Sequence, residues 1–178
     1  MNDGSTDETY HVAKQYLQET PNIRYNIRYM EHPKHGVGYS RTAGLYAAFG
    51  RYCTFLDSDD EYLPHHLASR RVILEENPNI DILHGGVEII GNPFVADRHD
   101  PTKLIHLSQC VMEGTMVLRR ETALRLGGFG TTRYGEGAAL MDNARAAGCI
   151  IAHTDEPSYR YDRTTPDSLC TTAFQGEK

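Results

Sequence analysis

The stretch Phe55-Leu56-Asp57-Ser58-Asp59-Asp60-Glu61 decides how this chain reads. It follows Tyr52-Cys53-Thr54, so an apolar run ends abruptly in four acids within five positions. A short continuous apolar run is the pattern of a buried parallel strand. In open α/β sheets, ligands bind just past the carboxyl ends of the strands. The carboxylates are therefore expected at the rim of a sheet, where a site belongs. Acids this close repel one another and need a compensating charge. A divalent cation supplies it, because hard cations take carboxylate oxygens. Asp57 and Asp59 project to the same side of an extended chain, and together they are expected to hold a metal that also grips a diphosphate. The alternative is a solvated acidic turn ahead of the helix that starts at Leu63-Pro64, since acids and proline both suit a helix start.

Outward from this stretch, helix and strand patterns alternate. Ser5 and Glu8 fit a capping box, and Tyr10, Ala13, Tyr16 and Leu17 form a helical stripe that Pro21-Asn22 stops. Ile23, Tyr25, Ile27 and Tyr29 alternate with polar residues, which predicts a half-buried strand. After a turn at His35-Gly36-Val37-Gly38, Ser40 to Phe49 reads as an Ala-rich helix closed by Gly50. Tyr52 to Leu56 is then the central strand. Leu63 to Glu76 reads as a helix ended by Asn77-Pro78. Ile80 to Ile90 is strand-like, with Gly85-Gly86 a kink or bulge. Gly91 to Gln109 has no clear periodicity and reads as a binding loop. Thr115 to Leu118 predicts a strand, Glu121 to Leu126 a short helix, and Glu136 to Ala147 a helix with Gly148 at its C-cap. Cys149 to Ala152 and Ser158 to Tyr161 read as two short strands. The alternation predicts an α/β sheet with a mostly parallel core. The expected organisation is one domain over residues 1–163 and a polar tail over 164–178.

The composition narrows the function classes. At 178 residues the chain is long enough for a single core. With 39% hydrophobic and 24% charged residues it reads as a soluble globular chain. A net charge of -6 leaves no basic footprint, which argues against nucleic acid as a partner. The nine histidines show no zinc-helix spacing. Cys53, Cys110, Cys149 and Cys170 are scattered without a CxxC pair, so free buried thiols in a reducing compartment are expected. No apolar run approaches the roughly 20 residues of a membrane span, and the polar N-terminus is unlike a signal peptide. The expected location is cytoplasmic, or peripheral at the inner membrane face.

The order of motifs resembles family 2 glycosyltransferases of the GT-A fold. Asp3-Gly4-Ser5-Thr6-Asp7 is similar to that family's D-G-S-T-D segment. Gly36-Val37-Gly38-Tyr39-Ser40-Arg41-Thr42-Ala43-Gly44 is similar to G-x-x-x-A-R-N-x-G, with Thr42 in place of Asn. Phe55 to Asp60 carries F-L-D-S-D-D whole. Val117-Leu118-Arg119-Arg120-Glu121 followed by Gly127-Gly128-Phe129 resembles the apolar-R-R-E and G-G-F segments. The match runs from the first residues to about Gly148. Two departures stand out. The strand, P-x-Y-N loop, helix and second strand that open the family's domain are not in this sequence, so the resemblance implies a GT-A Rossmann-like fold with its first βαβ portion incomplete. The family's acidic pair E-D appears here as Glu136-Gly137.

The resemblance implies transfer of a sugar from a nucleotide-diphospho-sugar, most simply a UDP-sugar, to a glycan or lipid-linked acceptor, with inversion. It implies Mn²⁺ or Mg²⁺ as cofactor, with Asp59 as direct ligand. It places Asp57 and Ser58 by the nucleotide, with Asp57 also supporting the metal, Asp3 at the base ring, and Arg41 beside the nucleotide. An inverting transfer needs a base for the acceptor hydroxyl, and Glu136, at a helix start, is the candidate. Asp142, further along the same helix, reads as solvated. Plain structural readings stand beside these: a turn residue for Asp3, a surface arginine for Arg41, a helix-start acid for Glu136. The rival from another class is a non-catalytic module or pseudoenzyme that binds nucleotide weakly. A nucleotidyltransferase is disfavoured, because no Gly-rich basic loop is present. Absent leading strands would leave the edge of the Tyr52 strand unpaired, and unpaired edges invite self-association.

Overall fold

The computed structural model describes residues 1–20, 27–100, 102–131 and 135–164. Its helices are α1 (Thr9–Glu19), α2 (Val37–Ala47), α3 (His66–Glu76), α4 (Arg120–Arg125) and α5 (Glu136–Ala146). Its strands are β1 (Tyr52–Thr54), β2 (Glu61–Tyr62), β3 (Ile82–Ile90), β4 (Phe94–Ala96), β5 (Leu104–His106), β6 (Val117–Arg119) and β7 (Ile151–Asp162).

Five strands form one sheet in the order β1-β6-β3-β7-β2. The expected α/β sheet is present, and it is mixed. β3 and β7 pair in parallel, whereas β1–β6, β3–β6 and β2–β7 are antiparallel. The reason is β6. The chain turns through a short 3-10 segment at Glu113–Thr115 and enters the sheet between β1 and β3 in the opposite sense. The strand expected at the centre, β1, pairs only with β6 among the described residues and so lies at the edge of the sheet.

The long β3–β7 ladder breaks at Gly85-Gly86, where the register shifts. Both glycines take positive φ, 96° and 71°, a conformation that side chains disfavour. Two other elements lock the bulge: Arg70 donates to the Gly85 carbonyl, and the Gly85 N–H donates to Thr115 Oγ1 at 3.1 Å. The two short strands expected over 149–161 are one strand, β7. Pro157 falls in the stretch between Thr154 and Tyr159 that lacks β3 partners, so its missing N–H interrupts no ladder bond with β3.

The main core lies between the sheet and helices α2, α4 and α5, with Leu45, Ile82, Met116, Leu118, Phe129, Leu140 and Met141 at its centre. A second cluster, Leu74, Ile80, Leu83 and Val117, packs under α3. Burial at about 25 cal/mol per Å² of apolar surface is what holds these layers together. Three hydrogen bonds fix α2: Thr42 Oγ1 donates to the Phe129 carbonyl at 3.0 Å and accepts from its N–H at 2.9 Å, and Arg120 Nε donates to the Leu45 carbonyl at 2.9 Å.

Several sequence expectations change. The capping box at Ser5 and Glu8 is not made. Asn2 Oδ1 takes the Ser5 N–H, and Asp7 Oδ1 takes the N–H of Thr9, where the helix begins. No residue of α1 is buried, so among the described residues its apolar stripe meets no core. Of the strand expected over 23–29, residues 23–26 lie outside the described residues; residues 27–29 are in no strand, and an isolated bridge, Asn2 to Glu31, lies just beyond them. The stretch 91–109 contains a β4–β5 hairpin that buries Val95, and a 3-10 turn that buries Leu107. Cys53 and Cys149 are free thiols, and they and Cys110 are half-buried instead of buried; Cys170 and the tail from 165 on lie outside the described residues.

Candidate active site

Helix α2 brings the site together. Its first turn packs closely on the 130 segment: a Cβ at Gly38 would overlap the Gly130 carbonyl, so only glycine admits this approach. One turn on, Arg41 points inward and is 9% exposed. Its Nη2 donates to both oxygens of Asp57 at 2.9 Å, and its Nη1 donates to Glu136 Oε1 at 2.8 Å. Its guanidinium also lies 5.7 Å from the centre of the Phe129 ring. Burial opposes the charge on Arg41, yet Asp57, Glu113 and Glu136 together outweigh it and hold the guanidinium firmly protonated. The surface-arginine reading of Arg41 is therefore excluded.

The acidic stretch leaves β1 as a turn, closed by the Asp60 N–H on the Asp57 carbonyl at 3.2 Å. Its four acids have different environments. Asp57 is 40% exposed beyond its contact with Arg41. Ser58 and Asp59 stand exposed at the tip. Asp60 turns back to the sheet, where its oxygens accept from the Tyr159 hydroxyl and the Asp162 N–H. Burial pushes the Asp60 carboxyl up to about 6, with Asp59 and Asp57 adding to the shift. Glu61 pairs with Arg160 across the β2–β7 ladder.

Asp3 joins the site through the start of α2. Its oxygens accept from the backbone N–H groups of His35 at 2.7 Å and Gly36 at 2.8 Å. It thus anchors the segment that leads into α2. The rings of His32, His35 and Tyr39 gather beside it, with centres 4.6 to 5.9 Å apart.

Glu136 opens α5 and is 6% exposed, committed to Arg41. The carboxylate that the sequence did not reveal is Glu113. Its Oε1 accepts the Gly137 N–H at 3.0 Å, which places it in the first turn of α5. Burial raises its carboxyl above the ordinary range; Arg41 opposes the shift, and Glu136 and Asp57 add to it. No local signal could have found it, because it approaches Gly137 from 24 positions away. Asp142 is exposed, as expected, and pairs with Arg145 on its own helix and with Arg98 from the 91–109 stretch.

Arg41, Asp57, Glu136 and Glu113 therefore form one electrostatic unit beside the exposed Ser58-Asp59 tip. Asp3 stands at the N-terminal end of the same helix. Among the described residues, no group of three His, Cys, Asp or Glu side chains is gathered to hold a metal by itself.

Known proteins fall in line with this architecture. S. aureus TarS, solved with UDP-GlcNAc, superposes with a TM-score of 0.70 at 18% identity, covering 92% of this chain and 48% of that one. The Pyrobaculum calidifontis mannosyltransferase PcManGT, solved with GDP-Man and Mn²⁺, gives 0.68 at 15% identity, covering 94% and 47%. At such identities the likeness establishes the fold. In sequence, the uncharacterized glycosyltransferase YibD of Escherichia coli is 36% identical over 64 residues, which are 36% of this chain and 17% of YibD. The minor teichoic acid biosynthesis protein GgaB of Bacillus subtilis is 43% identical over 60 residues, 34% of this chain and 6% of GgaB. The chain thus spans a small part of these curated relatives. The model of the family described as glycosyl transferase family 2 matches residues 1–144, from Asp3 through the Arg41 cluster to α5, and so this chain belongs to glycosyltransferase family 2.

Proposed function

We propose that the protein transfers a sugar from a nucleotide-diphospho-sugar, a UDP-sugar, to a hydroxyl of a glycan or lipid-linked acceptor, with inversion and with Mn²⁺ or Mg²⁺. The observation that carries this reading is the Arg41–Asp57 pair at the carboxyl end of β1, beside the exposed Asp59. A solvated acidic turn has no use for a buried guanidinium on its first acid. A nucleotide site does, because Asp57 must be held in place while charge arrives next to it.

The residues suit the metal. Small hard cations are commonly bound by one or two carboxylates, with substrate phosphates and water completing the shell. Asp59 is exposed, and Asp57 keeps part of its surface open. These two would hold the ion, which when bound would neutralise the leaving diphosphate as a Lewis acid. Asp3 and Ser58 would position the nucleotide, Asp3 by accepting from the base. Arg41 would fix Asp57, and Glu136 would orient Arg41. The UDP-GlcNAc of TarS and the GDP-Man and Mn²⁺ of PcManGT belong to those proteins and lend support by fold alone.

The proposal includes residues 1–163 as one domain unit and self-association along the outer edge of β1, which pairs with no strand among the described residues. Among the described residues no helix is long and apolar enough to cross a membrane. A cytoplasmic setting, at or near the inner membrane face, is part of the same reading.

The test is nucleoside diphosphate release from a panel of UDP- and GDP-sugars with Mn²⁺. Release from a UDP-sugar, reduced about 100-fold by Asp59→Asn, is expected. A full-length protein that neither binds nor turns over any nucleotide-sugar would overturn the reading.

A further inference from the structure

We propose that Glu113, seated over Gly137 at the start of α5, is the carboxylate that takes the proton of the acceptor hydroxyl. The inference rests on the transferase reading above and names its base. In the step, the acceptor O–H bond breaks and its proton passes to Glu113. The oxygen's electron pair forms the new bond to the sugar's anomeric carbon. The bond from that carbon to the diphosphate oxygen breaks, and its electron pair leaves with the diphosphate.

The other carboxylates of the site are committed elsewhere. Glu136 is nearly sealed from solvent, with Arg41 at 2.8 Å. Asp57 has both oxygens on Arg41. Asp60 has its oxygens on Tyr159 and Asp162. Glu113 lies within the field of Arg41, yet among the described residues the ion pairs of Arg41 go to Asp57 and Glu136. Glu113 is half-buried as a residue. A carboxyl raised toward the working pH is a stronger base than an ordinary one, and burial moves Glu113 that way.

Space supplies the independent observation. Gly137 lies within α5 and is not among the glycines with positive φ, so its backbone would accept any residue. Glycine is a poor helix former. Yet a Cβ at 137 would overlap Cγ, Cδ and Oε1 of Glu113. The missing side chain at 137 is the room in which the Glu113 carboxyl sits. The carboxyl therefore occupies the place that a side chain projecting from 137 would take, next to Glu136.

The test uses the full-length protein and the UDP-sugar that the donor panel identifies, with water as acceptor. Glu113→Gln keeps an acceptor for the Gly137 N–H. It is expected to lower turnover at least 100-fold, to leave donor affinity within about two-fold, and to abolish the acidic limb of the pH–rate profile. A purely structural role would move affinity and melting temperature instead. The double variant Glu113→Ala/Gly137→Asp puts a carboxylate back into the vacated space from the other side. It is expected to turn over at least ten-fold faster than Glu113→Ala alone. Should Glu113→Gln lose its cooperative melt, this pair decides: a folded double variant no faster than Glu113→Ala overturns the proposal. Wild-type turnover and an unchanged acidic limb in Glu113→Gln also overturn it, and leave the transferase reading standing. A wild-type protein that binds no nucleotide-sugar overturns that reading, and the proposal with it.

Discussion

Arg41 holds both oxygens of Asp57 with a single nitrogen, each at 2.9 Å, while its second terminal nitrogen holds Glu136. A helix, the end of an edge strand and the start of another helix are thereby joined by one guanidinium. Removing one partner of a buried ion pair strands the other and costs roughly 3–5 kcal/mol. Arg41→Ala is expected near the low end, about 3 kcal/mol in a denaturant melt, because Asp57 keeps 40% exposure and can recruit water. Arg41→Lys is expected to recover only part of this, since an ammonium cannot fork between two carboxylates in the same geometry. A Lys variant as stable as wild type would show that the fork is unimportant.

Gly137 offers a test in which a helix rule and a packing rule have opposite signs. Glycine to alanine in a helix normally stabilises by about 1 kcal/mol. Here the new methyl would overlap the Glu113 side chain. Gly137→Ala is therefore expected to destabilise, by about 1–3 kcal/mol as for other overpacked sites. In a Glu113→Ala background the same change is expected to stabilise. A double-mutant cycle reads the difference. The same sign in both backgrounds would contradict the described placement of Glu113.

His66 sets a pH dependence of stability. It is fully buried, stacked on Tyr62 at 3.8 Å between ring centres, and its Nδ1 lies 3.0 Å from Ser158 Oγ. Burial, reinforced by Arg70, pushes its imidazole down to about 4 from the ordinary 6.5. Between those values the unfolded chain binds the proton and the folded chain does not. Stability from this residue is thus complete above about 6.5 and is lost as pH falls toward about 4. His84, also lowered to about 4 by burial and by His153, adds in the same direction. His66→Phe keeps a ring against Tyr62 and removes the titration. It is expected to flatten the fall in melting temperature between pH 6.5 and 4.5. An unchanged slope would mean that His66 does not titrate there.

The rim position of Asp57 was legible because an apolar run met a cluster of acids, a contrast carried by adjacent residues. The bulge at Gly85-Gly86 and the extent of α5 were legible for the same reason. Arg41 was reached through motif resemblance, and its burial was not, since an Ala-rich helix does not declare which face meets the core. Glu113 was illegible. Its place over Gly137 comes from the reversal of the chain into β6, and no periodicity encodes a contact between two segments so far apart. The α/β sheet was legible, but the reversal into β6, which makes the β1–β6 and β3–β6 pairings antiparallel, was not. The α1 stripe was misleading for the converse reason: a helical pattern specifies an apolar face but not a partner for it.

The most direct measurement is a calorimetric titration of the full-length protein with UDP, with and without Mn²⁺, repeated on Asp59→Asn. The site described here has an exposed Asp59 beside an Asp57 fixed by Arg41. It is expected to bind UDP at least ten-fold more tightly with Mn²⁺, and Asp59→Asn is expected to erase that gain while the protein melts as before. Equal UDP affinity with and without the metal, or a gain that survives in Asp59→Asn, would contradict the assignment of this acidic turn to a nucleotide-sugar diphosphate.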